Sequence, residues 1–195
     1  MRAVFPQDPK AFSINYNGIS NRIISDIEIF EYFNPTTISP TNPPKPLQTA
    51  ALWDTGATAS IITRQTAQSL ALTPTGKTIT SHGGGQSEHL TYVVNILLPN
   101  KMLVAGITVT EMEKIVDNFG VIIGMDIIAL GDFSLTHYGG QTCFSFRIPS
   151  LKKIDYVEEW NNAFKGIRGH DKCPCKSGKQ FRKCHGQELA QTNRR

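Results

Sequence analysis

The sequence predicts a mainly β domain with one short helix, followed by an amphipathic helix and a small cysteine-rich module. Three observations carry this. Short runs of β-branched and aromatic residues recur between turn residues over 22–148. At 151–165 the apolar residues Leu151, Ile154, Val157, Trp160 and Phe164 take up roughly helical spacing instead. Three of the four cysteines then fall within twelve residues, 173–184. The expected boundaries are 1–150 for the β domain, 151–170 for a helical linker and 171–195 for the module.

The elements follow in order. Over 22–33, Ile23, Ile27 and Ile29 share one parity and read as a strand. The stretch 34–46 holds five prolines and cannot be a helix or a central strand, so it is an extended loop. Ala50-Ala51-Leu52-Trp53 is a short apolar strand ending at Asp54-Thr55-Gly56. Gly83-Gly84-Gly85 is a turn. A hairpin follows, with strands at 90–98 and 102–110 around the turn Pro99-Asn100-Lys101. Val121-Ile122-Ile123 is stopped by Gly124, and Asp126 can cap a helix at 127–130 closed by Gly131. Over 142–148, Phe144, Phe146 and Ile148 share one face; Cys143, beside them, is expected in the core.

Composition narrows the function classes. Of 195 residues, 39% are hydrophobic and 18% charged, enough apolar material for a core and too little charge for a disordered chain. No apolar run reaches the ~18–20 residues of a membrane span, and the first eight residues carry no apolar signal core. Four cysteines are too few for a disulfide scaffold, so a reducing, cytoplasmic setting is expected. The net charge of +4 is uneven: nine Lys/Arg against eleven Asp/Glu up to residue 150, eleven against five beyond it. Such asymmetry points to two units with different partners.

An apolar strand delivers Asp54 into a tight turn where Thr55 offers a hydroxyl and Gly56 allows close approach. An ionised carboxylate beside apolar side chains needs compensation from turn amides, a cation, or a second carboxyl sharing a proton. By itself the triplet also fits an Asx-turn. Asp54-Thr55-Gly56-Ala57 after an apolar run, then Ile122-Ile123-Gly124 with its glycine seventy positions after the aspartate, resembles the retropepsin-like aspartic proteases, and Gly124-Met125-Asp126 leading to Gly131-Asp132-Phe133 is similar to their bacterial members. The resemblance covers about 20–148 and implies a closed, barrel-like β domain. It implies that Asp54 is catalytic, that Thr55 bonds across a dimer and that the Gly56 backbone touches a polypeptide substrate. Ala57, Ile123 and Gly124 would then line the substrate site. The tip Ser81-His82-Gly83-Gly84-Gly85-Gln86 would be a flap, with Gly83, Gly84 and Gly85 against the substrate. The chain holds one such triplet, so the resemblance implies a homodimer with half a site per chain and no cofactor for catalysis. Thr58 and Ala59 stand where viral members carry acids, and Met125 follows Gly124, so the dimer contacts must differ from theirs. His82 and His89 read as flap histidines, and Asp132 as a turn aspartate.

Cys173, Cys175, Cys184 and His185 offer three thiolates and an imidazole, the donor set of a closed structural Zn²⁺ site, one ion per chain. Lys172, Lys176, Lys179, Arg182 and Lys183 surround them. The string Cys173-Pro174-Cys175-Lys176-Ser177-Gly178 through Phe181-Arg182-Lys183-Cys184-His185-Gly186 resembles the SEC-C motif, which implies an adaptor that docks on a protein or ribosome partner. Three readings result: an aspartic endopeptidase with a zinc adaptor, a non-catalytic dimeric peptide-binding protein tethered by the same module, or a chain whose basic tail contacts RNA or the ribosome with the first unit secondary.

Overall fold

A computed structural model describes residues 8–37, 44–82, 85–113 and 118–187. Its strands are β1 (Lys10–Asn15), β2 (Ile24–Glu31), β3 (Leu47–Trp53), β4 (Ile61–Thr63), β5 (Gly76–His82), β6 (Gly85–Leu97), β7 (Leu103–Met112), β8 (Val121–Ile123), β9 (Asp132–Thr136) and β10 (Cys143–Ile148). The helices are α1 (Arg64–Ser69), α2 (Met125–Ile128) and α3 (Tyr156–Ala163). The chain forms two compact units, 1–151 and 152–195.

Alternating apolar residues close the first unit into a barrel. Its strands run in the order β2-β3-β8-β4-β7-β6, and β6 returns to pair with β2 from Glu28↔Leu97 to Glu31↔Val94. β5 extends outward from β6 as a long hairpin. The fold is therefore mainly β and barrel-like, as the sequence predicts. The inward residues Ile29, Ile62, Val94, Ile96, Ile107, Val109, Val121 and Ile123 are fully buried. Removing such side chains from water is the main favourable term here, at roughly 1.5–3 kcal/mol each. Where β6 bulges between Val94 and Ile96, Asn95 turns into the core. Its amide donates to the Phe33 carbonyl at 2.8 Å and accepts from Gly106 N–H at 2.8 Å, so the buried dipole is satisfied.

A second, three-stranded sheet, β1-β10-β9, packs against the barrel through Trp53. The indole ring lies 4.8 Å from Phe146 and 5.0 Å from Phe144, and its N–H donates to Ser25 Oγ at 2.9 Å. The residue that precedes Asp54 is thus gripped from both sheets.

Several expectations need correction. Among the described residues the first unit has two short α-helices where one is expected: Thr63 caps α1 by accepting from Thr66 N–H at 3.1 Å, but six residues are too few to show a helical period. α2 starts at Met125 with Gly124 in the cap position, and Asp126 lies inside the first turn rather than before it. Cys143 is half-buried and alternates with Phe144 and Phe146, so it sits on the face away from the core. α3 is shorter than 151–165 because Asp155 caps it, accepting from Val157 and Glu158 N–H at 3.1 and 3.0 Å.

Phe146→Ala removes a fully buried ring from the junction of the two sheets. Denaturant unfolding of the full chain should show a loss of about 3–5 kcal/mol.

Candidate active site and metal centre

β3 and β8 run parallel, pairing Ala51↔Val121 through Trp53↔Ile123, and this sets the Asp loop against the end of β8. Asp54 N–H donates to the Ile123 carbonyl at 3.0 Å, and Met125 N–H donates to the Ala57 carbonyl at 2.8 Å. Within the loop, Ala57 N–H donates to the Asp54 carbonyl at 3.2 Å and Gly56 N–H to Asp54 Oδ1 at 2.8 Å. The turn amides therefore hold one carboxylate oxygen in place. Thr55 and Gly56 are exposed, and Asp54 and Ala57 are half-buried. A Cβ on Gly56 would sit 3.1 Å from Asp54 Oδ1, so glycine keeps the space beside the carboxylate open.

Ile123 and Gly124 lie behind this loop. Ile123 is fully buried, so its side chain is closed to a substrate in the single chain. A Cβ on Gly124 would meet the Ala59 backbone at 2.7 Å and the Ala57 carbonyl at 2.9 Å. Both residues pack behind the loop and hold it in place. The buttress is completed by Ser60 and Asp126. Ser60 is fully buried; its N–H and Oγ–H donate to Asp126 at 2.9 and 2.7 Å, and its Oγ accepts from Gly124 N–H at 3.1 Å. Asp126 thus ties loop to helix, a role that needs a partner 66 positions away and leaves no local signal.

Beside the loop opens a cleft of about 320 Å³, lined by Ala57, Ala59, Ile61, Met112, Thr78 and His89 among others. Thr78 and His89 face each other across the β5–β6 hairpin. That hairpin is where the flap is expected; Gly83 and Gly84 lie outside the described residues, and Gly85 opens β6 paired with His82. Larger clefts of about 420 and 590 Å³ lie beside α1 and beyond Glu111, and neither is lined by the Asp54 loop.

The cleft wall holds a group that sequence reasoning missed. Glu111 is buried and accepts from Arg64 Nε at 2.8 Å and from the Tyr92 hydroxyl at 2.6 Å. Burial opposes its ionisation, but the bonds from Tyr92 and Arg64 outweigh that, and its pKa is lowered. Burial, then the bond to Glu111, pushes Tyr92 up to about 12. Asp132 is no second catalytic acid: it accepts from Leu151 N–H at 3.0 Å, from Ser150 and from Arg147, and these bonds hold it well below the usual carboxylate range.

In the second unit the four expected ligands converge. Cys173 Sγ lies 3.2 Å and Cys184 Sγ 3.5 Å from His185 Nδ1, and Cys175 and Cys184 Sγ are 3.6 Å apart. All four donor atoms fall within 4.8 Å of one another. Zinc bonds of ~2.3 Å to sulfur and ~2.0 Å to nitrogen at tetrahedral angles give edges of about 3.5–3.8 Å, so the cluster is close to the shape of a closed site. Positive φ at Lys176 and Gly178 makes the tight knuckle between the cysteines. Hydrogen bonds with Ser177, side chain and then backbone, bring the Cys175 thiol down to about 6. The His185 ring stacks on Phe164 at 5.3 Å and meets the edge of Trp160 at 5.0 Å, while Phe164 stacks on Phe181 at 5.4 Å. The stretch expected as a linker therefore supplies part of this unit's small core.

Residues 45–127 match the family model described as aspartyl protease, a span that includes the Asp loop, the hairpin and the β8 buttress. Residues 171–187 match the SEC-C motif. The two matches fall in the order of the two resemblances that the residues carry, aspartic protease first and SEC-C motif second. Among solved structures it is similar to a retropepsin-like aspartic protease from Rickettsia conorii, at 12% identity and a TM-score of 0.43, over 74% of this chain and 98% of that one. It is also similar to the EIAV protease complexed with the inhibitor HBY-793, at 21% identity and a TM-score of 0.39, over 58% of this chain and 90% of that one. No curated protein matches the chain. Among the described residues no helix is long and apolar enough to cross a membrane.

The buttress and the buried acid can each be probed. Gly124→Ala forces the Asp loop and β8 apart, and thermal unfolding should show a loss of about 1–3 kcal/mol. Because Glu111 has a lowered folded pKa, its contribution is present above the unfolded value of about 4.3 and is lost as pH falls through the folded value. Melting temperatures taken from pH 7 down to pH 2 should therefore fall less in Glu111→Gln than in the native chain.

Proposed function

We propose that this protein is an aspartic endopeptidase whose site is completed by a second copy. The observation that supports this is the Asp loop: a lone Asp-Thr-Gly, pinned from behind by β8 and open in front, within the segment matched by the aspartyl protease family. Asp54 is the proposed catalytic residue. Two Asp54 carboxyls a few ångströms apart cannot both ionise and would share one proton. The ionised one takes a proton from a water as the water attacks the peptide carbonyl, and the protonated one gives its proton to the carbonyl oxygen. Thr55, exposed beside Asp54, would bond the partner loop, and the Gly56 backbone would meet the substrate. Ala57 and the flap residue Gly85, with Gly83 and Gly84, would border the bound peptide.

The domain boundaries proposed are 1–150 for the protease unit, 151–170 for the helical segment and 171–195 for the zinc module. Cys173, Cys175, Cys184 and His185 would hold one Zn²⁺, whose role is to fix the fold of a unit too small for a stable core. With four protein ligands the ion has no open position for chemistry. The basic residues around it suit docking on an acidic protein or ribosome partner. Reduced thiols at this site fit a cytoplasmic location.

The second reading, a non-catalytic peptide-binding dimer, is favoured by one observation: in the single chain Asp54 is already accommodated by its own turn. Asp54→Asn separates the two. A peptide library incubated with the native chain should be cleaved, and the variant should lose at least about 10²–10⁴-fold in rate while still dimerising. Equal cleavage by both chains removes Asp54 from the mechanism; binding without cleavage by either supports the second reading. For the metal, elemental analysis should find one zinc per chain, and Cys184→Ser should lose it together with the near-UV signal of Trp160.

A further inference from the structure

The thiolate is the nucleophilic form of cysteine, and a cysteine that holds a metal must be in that form. Cys173, Cys175 and Cys184 can therefore do two things: hold an ion, or give up electrons to an oxidant. The structure does not treat the three alike. Cys175 is exposed, Cys184 half-buried and Cys173 buried. Cys173 Sγ is turned to His185, 3.2 Å from Nδ1, and the Cys173 N–H donates to the Lys179 carbonyl at 2.9 Å. Cys175 and Cys184 Sγ lie 3.6 Å apart, with Ser177 Oγ beside them at 3.2 and 3.6 Å.

These differences select one pair. A small oxidant meets Cys175 first, because its sulfur is on the outside. Closing the 3.6 Å gap to Cys184 down to an S–S bond of ~2.05 Å takes only a short swing of two side chains. A bond from Cys175 to Cys173 is disfavoured: Pro174 alone separates them, its ring fixes the backbone angle there, and the small loop would be strained. Cys143 is the one cysteine of the first unit, half-buried on β10, and has no second thiol in that unit.

We propose that Cys175 and Cys184 are a peroxide-oxidised pair, and that their disulfide opens the metal site. In its second half the inference rests on the zinc reading given above. The Cys175 thiolate attacks one oxygen of a hydroperoxide; the S–O bond forms, the O–O bond breaks and hydroxide leaves, so Cys175 becomes a sulfenic acid. The Cys184 thiolate then attacks that sulfur; the S–S bond forms, the S–O bond breaks and a second hydroxide leaves. Each thiolate gives one electron, and with two protons from solvent one hydrogen peroxide becomes two waters. Cys173 and His185 are then the remaining ligands, and two donors set among Lys172, Lys176, Lys179, Arg182 and Lys183 no longer hold an ion that needs four. The new bond closes the loop 175–184, which carries four of those five cations, so the proposed docking surface changes shape as the ion is lost.

The test adds hydrogen peroxide to the full chain, reduced and loaded with zinc. Tryptic peptides sequenced by fragmentation should show the Cys175–Cys184 bond. A chromogenic chelator should take up zinc in equal amount, and the near-UV signal of Trp160 should fall in step. A dithiol reductant with added zinc should restore all three. Cys143→Ser, which leaves the cluster intact, should release zinc at the native rate. A zinc-loaded chain that forms its bond through Cys173 instead overturns the pair, as does one that carries Cys175 straight to the sulfinic acid or keeps both thiols reduced while Cys143 reacts. A bond between Cys175 and Cys184 that forms with the zinc retained overturns the opening of the site. A reduced chain that takes up no zinc, yet still joins Cys175 to Cys184, removes the zinc reading and keeps the pair.

Discussion

The approach of Gly124 to the backbone of Ala57 and Ala59 sets the rest of the first unit. Parallel pairing of β3 with β8 brings two chain segments to the same end of the barrel, and only a residue without a side chain lets them close. Two backbone bonds then lock the contact, Asp54 N–H to Ile123 and Met125 N–H to Ala57. Ser60 and Asp126 seal it from the side with three further bonds. The Gly56 amide holds one oxygen of Asp54, and Thr55 and Gly56 are exposed beside it. A catalytic carboxyl needs this kind of support, since precise placement rather than reactivity limits what a carboxylate can do.

Much of this is legible in the residues. β2, β3, β8 and β10 announce themselves by alternation or by short β-branched runs, and the Asp-Thr-Gly with its later glycine marks the loop and its buttress. The metal cluster is the clearest of all, because four ligand-bearing residues packed into thirteen positions form a complete tetrahedral donor set along the chain itself. What escapes is written across the chain rather than along it. Ser60 looks like an ordinary loop serine until Asp126 and Gly124 arrive from 66 and 64 positions away. Glu111 and Tyr92 each sit in a strand as one polar residue among several, and only the β6–β7 register makes them partners. β1, β4, β5 and β9 give little signal because they are short, polar or at edges, where alternation is weak. Asp126 misleads for a related reason: an acid near a helix start suggests a cap, but the glycine before it already occupies that position.

The second unit follows a different physical logic. It buries Phe164, Cys173 and Phe181 with little else, so hydrophobic burial contributes a small part of its stability. A metal ion held by Cys173, Cys175, Cys184 and His185, as proposed above, would supply what the core lacks. Lysines and arginines around the cluster would ease the repulsion of three metal-bound thiolates.

The aromatic clamp on His185 has a bearing on what counts as the transferable part of this tail. Phe164 and Trp160 come from the helix ahead of the matched motif, yet they hold the imidazole that completes the ligand set. A graft beginning at residue 171 would carry every ligand and leave that ring unbraced on one side. The smallest portable piece is accordingly the span from the Asp155 cap to Gln187, and a fusion protein cut to the motif alone would inherit the chemistry of the tail without the scaffold that orients it.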